Sequence, residues 1–167
     1  SYKFEEAEIL LGNLAITSEK YNPEFHLLQS ILYYQSKRYI QSNKSLTITL
    51  GLDPINDKAY YYKTKIYIKF KRFKKARESI LKAIELDPSN PDYKILNSEI
   101  IKLTKGEDAA IGYLATVAID NEGNEFVNEE YLAKIRGQMA IYYYQSGQID
   151  LYKKTIKKLE DQNNSGM

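Results

Sequence analysis

A chain of 167 residues, 43% apolar and 28% charged with a net charge of +2, has the length of one domain and too balanced a composition for a disordered tail. Zero cysteine and one histidine, His26, remove disulfide frameworks, thiol nucleophiles, cysteine zinc sites and any Ser-His-Asp triad not built on that residue. No apolar run approaches the roughly 18 residues of a membrane-spanning helix, so direct membrane insertion is not expected, and no signal peptide opens the chain.

Taken in order, Phe4, Ala7, Leu11 and Leu14 have the spacing of an amphipathic helix over 2–20. Its apolar side has no partner helix before it, so the chain is expected to begin inside a longer array. From residue 23 the sequence repeats in a register of 34 residues. Ser30, Thr64 and Ser98 align; so do Tyr33, Tyr67 and Ile101, then Ser42, Ala76 and Ala110, then Leu46, Ile80 and Leu114, then Thr49, Ala83 and Val117. Leu50-Gly-Leu-Asp-Pro54 is echoed by Ile84-Glu-Leu-Asp-Pro88. The units predicted from this register are 23–56, 57–90 and 91–124.

Each unit reads as two helices. Asn22, Asn56 and Asn90 are placed as N-caps, with Pro23 and Pro91 at the first helical position, where a missing N–H costs nothing. Turns within the pairs are expected near Lys37-Arg38, Lys71-Arg72, Gly106 and Gly147, the glycines permitting a left-handed cap. A fourth unit, 125–161, fits once eight residues are inserted, placing Ala140, Tyr143, Ile156 and Leu159 in the columns; only Tyr152 stands where the others have a small residue. The stripe Phe126, Val127, Tyr131, Leu132, Ile135 and Met139 predicts one long helix of roughly 22 residues from Glu125, with a lysine-faced capping helix after it. Small residues recur because the two helices of a pair cross closely: Ser30, Thr64, Ser98 and Ala140 should face Ser42, Ala76 and Ala110. One pair cannot bury its own apolar face, whereas stacked pairs can.

Helix pairs of 34 residues carrying Tyr60, Thr64, Tyr67, Ala76, Ile80, Ala83 and Pro88 at these offsets resemble the tetratricopeptide (TPR) repeat. The resemblance is best over 23–90, acceptable over 91–124 and partial over 133–161, with 2–20 as a half repeat. It implies an all-α, right-handed solenoid of about four antiparallel helix pairs plus that half repeat, one TPR domain over 1–167. It also implies that the first helices line a concave groove that receives a peptide or a partner protein.

Helical geometry then selects the groove candidates, about 100° off the packed face: Leu27, Ile31, Tyr34 and Gln35; Lys58, Tyr61, Lys65, Ile68 and Lys69; Asp92, Ile95, Glu99 and Lys102; Lys134, Ile141, Tyr144 and Gln145. Tyr34, Lys58, Tyr61, Lys65, Lys69, Lys102 and Tyr144 are the expected contact residues, a lining of aromatic and basic groups suited to a peptide of some acidic character. Chaperone-tail grooves of this family hold a C-terminal carboxylate with lysine and asparagine from the first unit and basic residues from the third. Leu27, Ile31, Asp92 and Leu96 occupy those positions here, which argues against that ligand class.

Tyr60-Tyr61-Tyr62 and Tyr142-Tyr143-Tyr144 each span about 200° of helix, so at least one tyrosine of each triplet must leave the core. These residues are either core and boundary packing or, at Tyr61 and Tyr144, contact anchors. Residues 58–82 carry 10 Lys or Arg against the single Glu78. That block is either solvated lysine or a surface for an acidic protein; 20 Lys to four Arg argues against nucleic acid, where bidentate contacts favour arginine. His26 is expected to pack, and no metal, cofactor or catalytic residue is expected. The function predicted is a non-catalytic protein-interaction scaffold. Its rivals are a self-association module using the apolar side of 4–16, giving a homo-oligomer, and an RNA-binding or acidic-partner-binding repeat using the basic second unit. Compartment stays open between cytoplasm and an exported bacterial space.

Overall fold

The computed structural model describes residues 21–122 and 128–165, together with Glu6 and Ile9; the 2–20 half repeat and the start of the inserted segment, 123–127, otherwise lie outside the described residues. Among the described residues the elements are all helical: α1 Pro23–Gln35, α2 Tyr39–Leu52, α3 Asp57–Lys69, α4 Phe73–Leu86, α5 Pro91–Lys105, α6 Glu107–Asn121, α7 Glu129–Gln145 and α8 Ile149–Ser165. They fall into two compact units, 1–86 and 87–167.

In the first unit α1 packs on α2 and α3 on α4, and α3 also touches α1 and α2. Asn22 and Asn56 start α1 and α3 as expected: the Asn22 side-chain oxygen accepts from the Glu24 and Phe25 amides, and that of Asn56 from the Ala59 amide at 2.9 Å. The small-residue columns meet in the interior. Ser30, Ser42, Thr64 and Ala76 are all fully buried. The contact is also polar: Ser42 Oγ donates to the Ser30 carbonyl at 2.8 Å, so the hydroxyl that the crossing buries is satisfied across it. Leu27, Leu46, Ala59 and Ile66 form the core, with Ile31, Tyr34, Tyr39, Leu50 and Tyr62 packed around it. His26 packs beside Phe25, edge to face at 5.3 Å.

In the second unit α5 pairs with α6 and α7 with α8, while α7 also touches α5 and α6. Ala110, Ile111, Leu114, Val117, Tyr131, Leu132, Ile135 and Met139 carry the core. The Ser98 and Tyr142 hydroxyls lie 3.3 Å apart, tying the first helices of successive repeats. Tyr152, the one large residue in the small column, is half-buried with its ring 5.5 Å from that of Tyr144.

The long helix expected from Glu125 is corrected. Asn128 has extended backbone and caps α7 by accepting from the Tyr131 amide at 2.8 Å, so the helix begins at Glu129 and has 17 residues. An apolar stripe does not by itself mark where a helix starts; the cap does.

Three of the four turns inside the pairs share one device. The Arg38 amide donates to the Tyr33 carbonyl, Arg72 to Tyr67 and Gln148 to Tyr143, each at 2.8 Å, closing the helix with a left-handed residue before it. That residue is Gly147 in the last repeat, but Lys37 (φ 61°) and Lys71 (φ 55°) in the first two.

Candidate functional site

The expected contact residues fall into one set in each unit. On α3 the spacing of Lys58, Tyr61, Lys65 and Lys69 places them on one stripe, about 16 Å long at 1.5 Å per residue. Tyr34 reaches the stripe from α1, and its ring lies 5.9 Å from Tyr62, which in turn stands 5.4 Å from Tyr61, both nearly perpendicular. Over these rings sits Lys65. Its ammonium is 5.1 Å from the centroid of Tyr34, 5.2 Å from Tyr61 and 5.5 Å from Tyr62.

Three π faces converging on one ammonium hold it by the ring quadrupoles, at about 0.5–1 kcal/mol per exposed contact. The rings are themselves half-buried, with Tyr34 and Tyr62 anchored on the core, so the cation has a fixed floor. Burial pushes the Tyr62 hydroxyl up from its ordinary pKa, which keeps that floor neutral. Lys58 and Lys69 are exposed at either end of the stripe. The result is an aromatic platform carrying one positioned positive charge flanked by two exposed ones.

Leu27 does not belong to this surface, and that expectation is corrected. It is 2% exposed, packed with Leu46, Ala59 and Ile66, and Ile31 packs against the same core. A first helix in a stack has two neighbours, its own partner and the next repeat, so two of its sides are consumed by packing.

In the second unit Lys102 is also placed otherwise than expected. Its ammonium bonds to Glu107 and Gln145 and lies 4.6 Å from the Tyr142 ring, so it joins α5 to the start of α6 and to α7. Tyr144 is 63% exposed, and Tyr142 is buried, so the second triplet divides between core and surface as helical geometry demands. Lys134 is exposed and pairs with Glu130 on its own helix at 3.5 Å.

Most of the remaining basic side chains of the second repeat, Lys71, Arg72, Lys74, Lys75, Arg77 and Lys82, are exposed. Lys63 differs, being half-buried; burial and the nearby Lys75 charge lower its pKa. Among the described residues no group of His, Cys, Asp or Glu is arranged to hold a metal ion, and no helix is long and apolar enough to cross a membrane.

Sequence reasoning missed two clefts. One of about 340 Å³ lies between α2 and α3, lined by Tyr39, Ile40, Asn43, Tyr67 and Phe70. The other, about 270 Å³ among α6, α7 and α8, contains a buried arginine, Arg136. Its sequence signal was a charge at i+4 from Leu132 and i−3 from Met139, interrupting the apolar stripe of α7.

No family model matches the sequence, and no curated protein matches it. Solved structures do. MamA residues 41 to the end, from Desulfovibrio magneticus RS-1, is 18% identical with a TM-score of 0.68, covering 97% of this chain and 86% of that one. YrrB, a TPR protein with an unusual peptide-binding site, is 18% identical with a TM-score of 0.62 over 91% of this chain and 74% of that one. PilW, a type IV pilus biogenesis factor, is 18% identical with a TM-score of 0.63 over 84% and 62%. With its own repeat register and helix pairs, this likeness shows that the chain has the all-α fold of the TPR type.

Proposed function

We propose that the chain is a non-catalytic scaffold that binds an extended or helical segment of a partner protein along α3, with Tyr34, Tyr61 and Lys65 as the anchor and Lys58 and Lys69 as flanking charges. The observation that carries this is the seating of the Lys65 ammonium on three tyrosine rings. Rigid aromatic area with polar tips costs little entropy to order on binding, and a cation held in place meets an acidic group without first losing its rotamers. An acidic segment is favoured by the charge of residues 58–82, net +9. In the second unit, described by itself, Tyr144 is an exposed aromatic contact on α7, whereas Lys102 bonds within that unit. The peptide-binding site of YrrB, on the same type of fold, supports the reading.

The test is affinity capture from the source organism's lysate with the wild type and with a Tyr61→Ala, Lys65→Glu, Lys69→Glu variant whose helicity is unchanged. Proteins retained by the wild type and lost by the variant place the ligand on this surface. If both retain the same proteins, the α3 surface does not bind them.

A further inference from the structure

Arg136 is unlike every other arginine of the chain. The other three are exposed, whereas Arg136 is 5% exposed, on α7 among apolar residues. Its Nη2 donates to Glu122 Oε1 at 3.0 Å, and its Nη1 has no hydrogen-bond partner among the described residues. Glu122, at the end of α6, is 54% exposed, and the same oxygen accepts from Lys158 Nζ of α8 at 2.8 Å. The two cations hold the Glu122 carboxyl below the ordinary carboxylate pKa, Lys158 foremost. A buried guanidinium retained for stability alone is expected to have both arms satisfied by a fixed acceptor. Here one arm rests on the carboxylate of an exposed residue, and the other has no hydrogen-bond partner among the described residues.

The surroundings complete a site. Arg136 lines the cleft of about 270 Å³ together with Lys154, Lys158 and Glu122, and its walls are apolar, with Ile119, Met139 and Leu151 among them. Three cations against one carboxylate leave the cleft positive, although residues 83–167 sum to a net charge of −5. Ile119 and Leu151 remain 69% and 43% exposed, so the apolar walls extend past the charged floor and fit a ligand larger than a free anion. On α7, Arg136, Met139 and Tyr143 turn to this cleft, while the exposed Tyr144 follows about 100° away, and the cleft shares no residue with the α3 surface.

We propose that this cleft is a second binding site, which takes an acidic side chain flanked by an apolar residue from an extended segment of a partner protein, the incoming carboxylate displacing Glu122 from Arg136 and Lys158. Glu122 is thus an internal competitor that keeps the buried arginine paired when the cleft is empty. The incoming carboxylate meets the planar guanidinium fork, which can bind two oxygens where Glu122 supplies one. The neighbouring apolar side chain packs against Ile119, Met139 and Leu151. This proposal does not depend on the α3 surface, and variants there leave it untouched.

The test uses the full chain labelled with 13C at the methionine methyls. Met139 and Met167 are the two methionines, and Met139 lines the cleft. The probes are the pentapeptide acetyl-Ser-Leu-Glu-Leu-Ser-amide, its Gln counterpart, sodium acetate and inorganic phosphate. The Glu peptide is expected to shift the Met139 signal saturably and the Gln peptide at least tenfold less tightly. Glu122→Gln is expected to tighten the Glu peptide severalfold by removing the competitor, and Lys158→Gln, at an exposed position, to weaken it severalfold. A structural ion pair alone predicts the opposite for Glu122→Gln, no gain in binding, and that result overturns the proposal. Equal binding of the Glu and Gln peptides overturns it as well. Saturation by acetate or phosphate at the same concentration as the peptide would make the cleft a small-anion site and overturn the peptide assignment.

Discussion

Replacing Ala76 by leucine tests the close crossing of α3 and α4. Ala76 is fully buried, Thr64 Oγ1 approaches its carbonyl at 3.5 Å, and Ile80 and Ala83, on the same face of α4, are also fully buried. Three added carbons therefore find no free volume, and either α4 moves off α3 or neighbouring side chains leave their rotamers. Overpacking of this kind costs about 1–3 kcal/mol. For a chain of this length that lowers Tm by roughly 2–12 °C. Thermal and urea unfolding followed by circular dichroism reads the effect. Arg77→Leu, exposed at the next position, is the control and is expected to stay within about 0.5 kcal/mol. Ser42→Ala separates space from bonding in the equivalent crossing of α1 and α2. It removes the donor to the Ser30 carbonyl without adding volume, at about 0.5–1.5 kcal/mol. An Ala76→Leu protein that melts with the wild type would refute the close crossing.

Further outcomes follow from local geometry. Asn56→Ala removes the cap of α3 and the Asn56 Nδ2 bond to Asp53, and a loss of about 1–2 kcal/mol is expected in urea unfolding. Lys71→Gly relieves a left-handed residue that costs roughly 1–2 kcal/mol and adds back about 0.5–1 kcal/mol of chain entropy, so Tm should stay level or rise; Gly147→Ala, at φ 75°, should lower it. The Glu122 carboxyl is held below its ordinary pKa by Lys158 and Arg136, so its contribution is present above the unfolded value of about 4.3 and is lost as pH falls through the depressed folded value. The Tm advantage of wild type over Glu122→Gln should accordingly be present at neutral pH and vanish in acid. A pH-independent difference would exclude the ion pair as its source.

Much of the fold was legible because it is written in short-range rules. Asn22, Asn56 and Asn90 sit one position before a helical stripe and do cap helices there. The 34-residue register put Ser30 opposite Ser42 and Thr64 opposite Ala76, and these residues do meet. The start of α7 was misjudged because Phe126 and Val127 continue the apolar period, while Asn128 offers a cap that competes with it. The α3 stripe was half legible. Spacing alone aligned Lys58, Tyr61, Lys65 and Lys69, but that Tyr34 and Tyr62 complete the seat of Lys65 depends on how α1 meets α3.

Helix caps, helix phase and the close crossing are set by residues within a few turns of one another, and among the described residues the sequence was sufficient for those. Which side of a first helix remains free is a property of the stack: Leu27 has the phase of a surface residue, yet the next repeat covers it with Ala59 and Ile66. The fate of a charge is likewise decided at a distance. Lys102 finds Gln145 across 43 positions, and Arg136 and Lys158 find one carboxylate, Glu122, across 14 and 36 positions. Periodicity reports which way a side chain leaves its own helix, and only tertiary packing decides what it meets there.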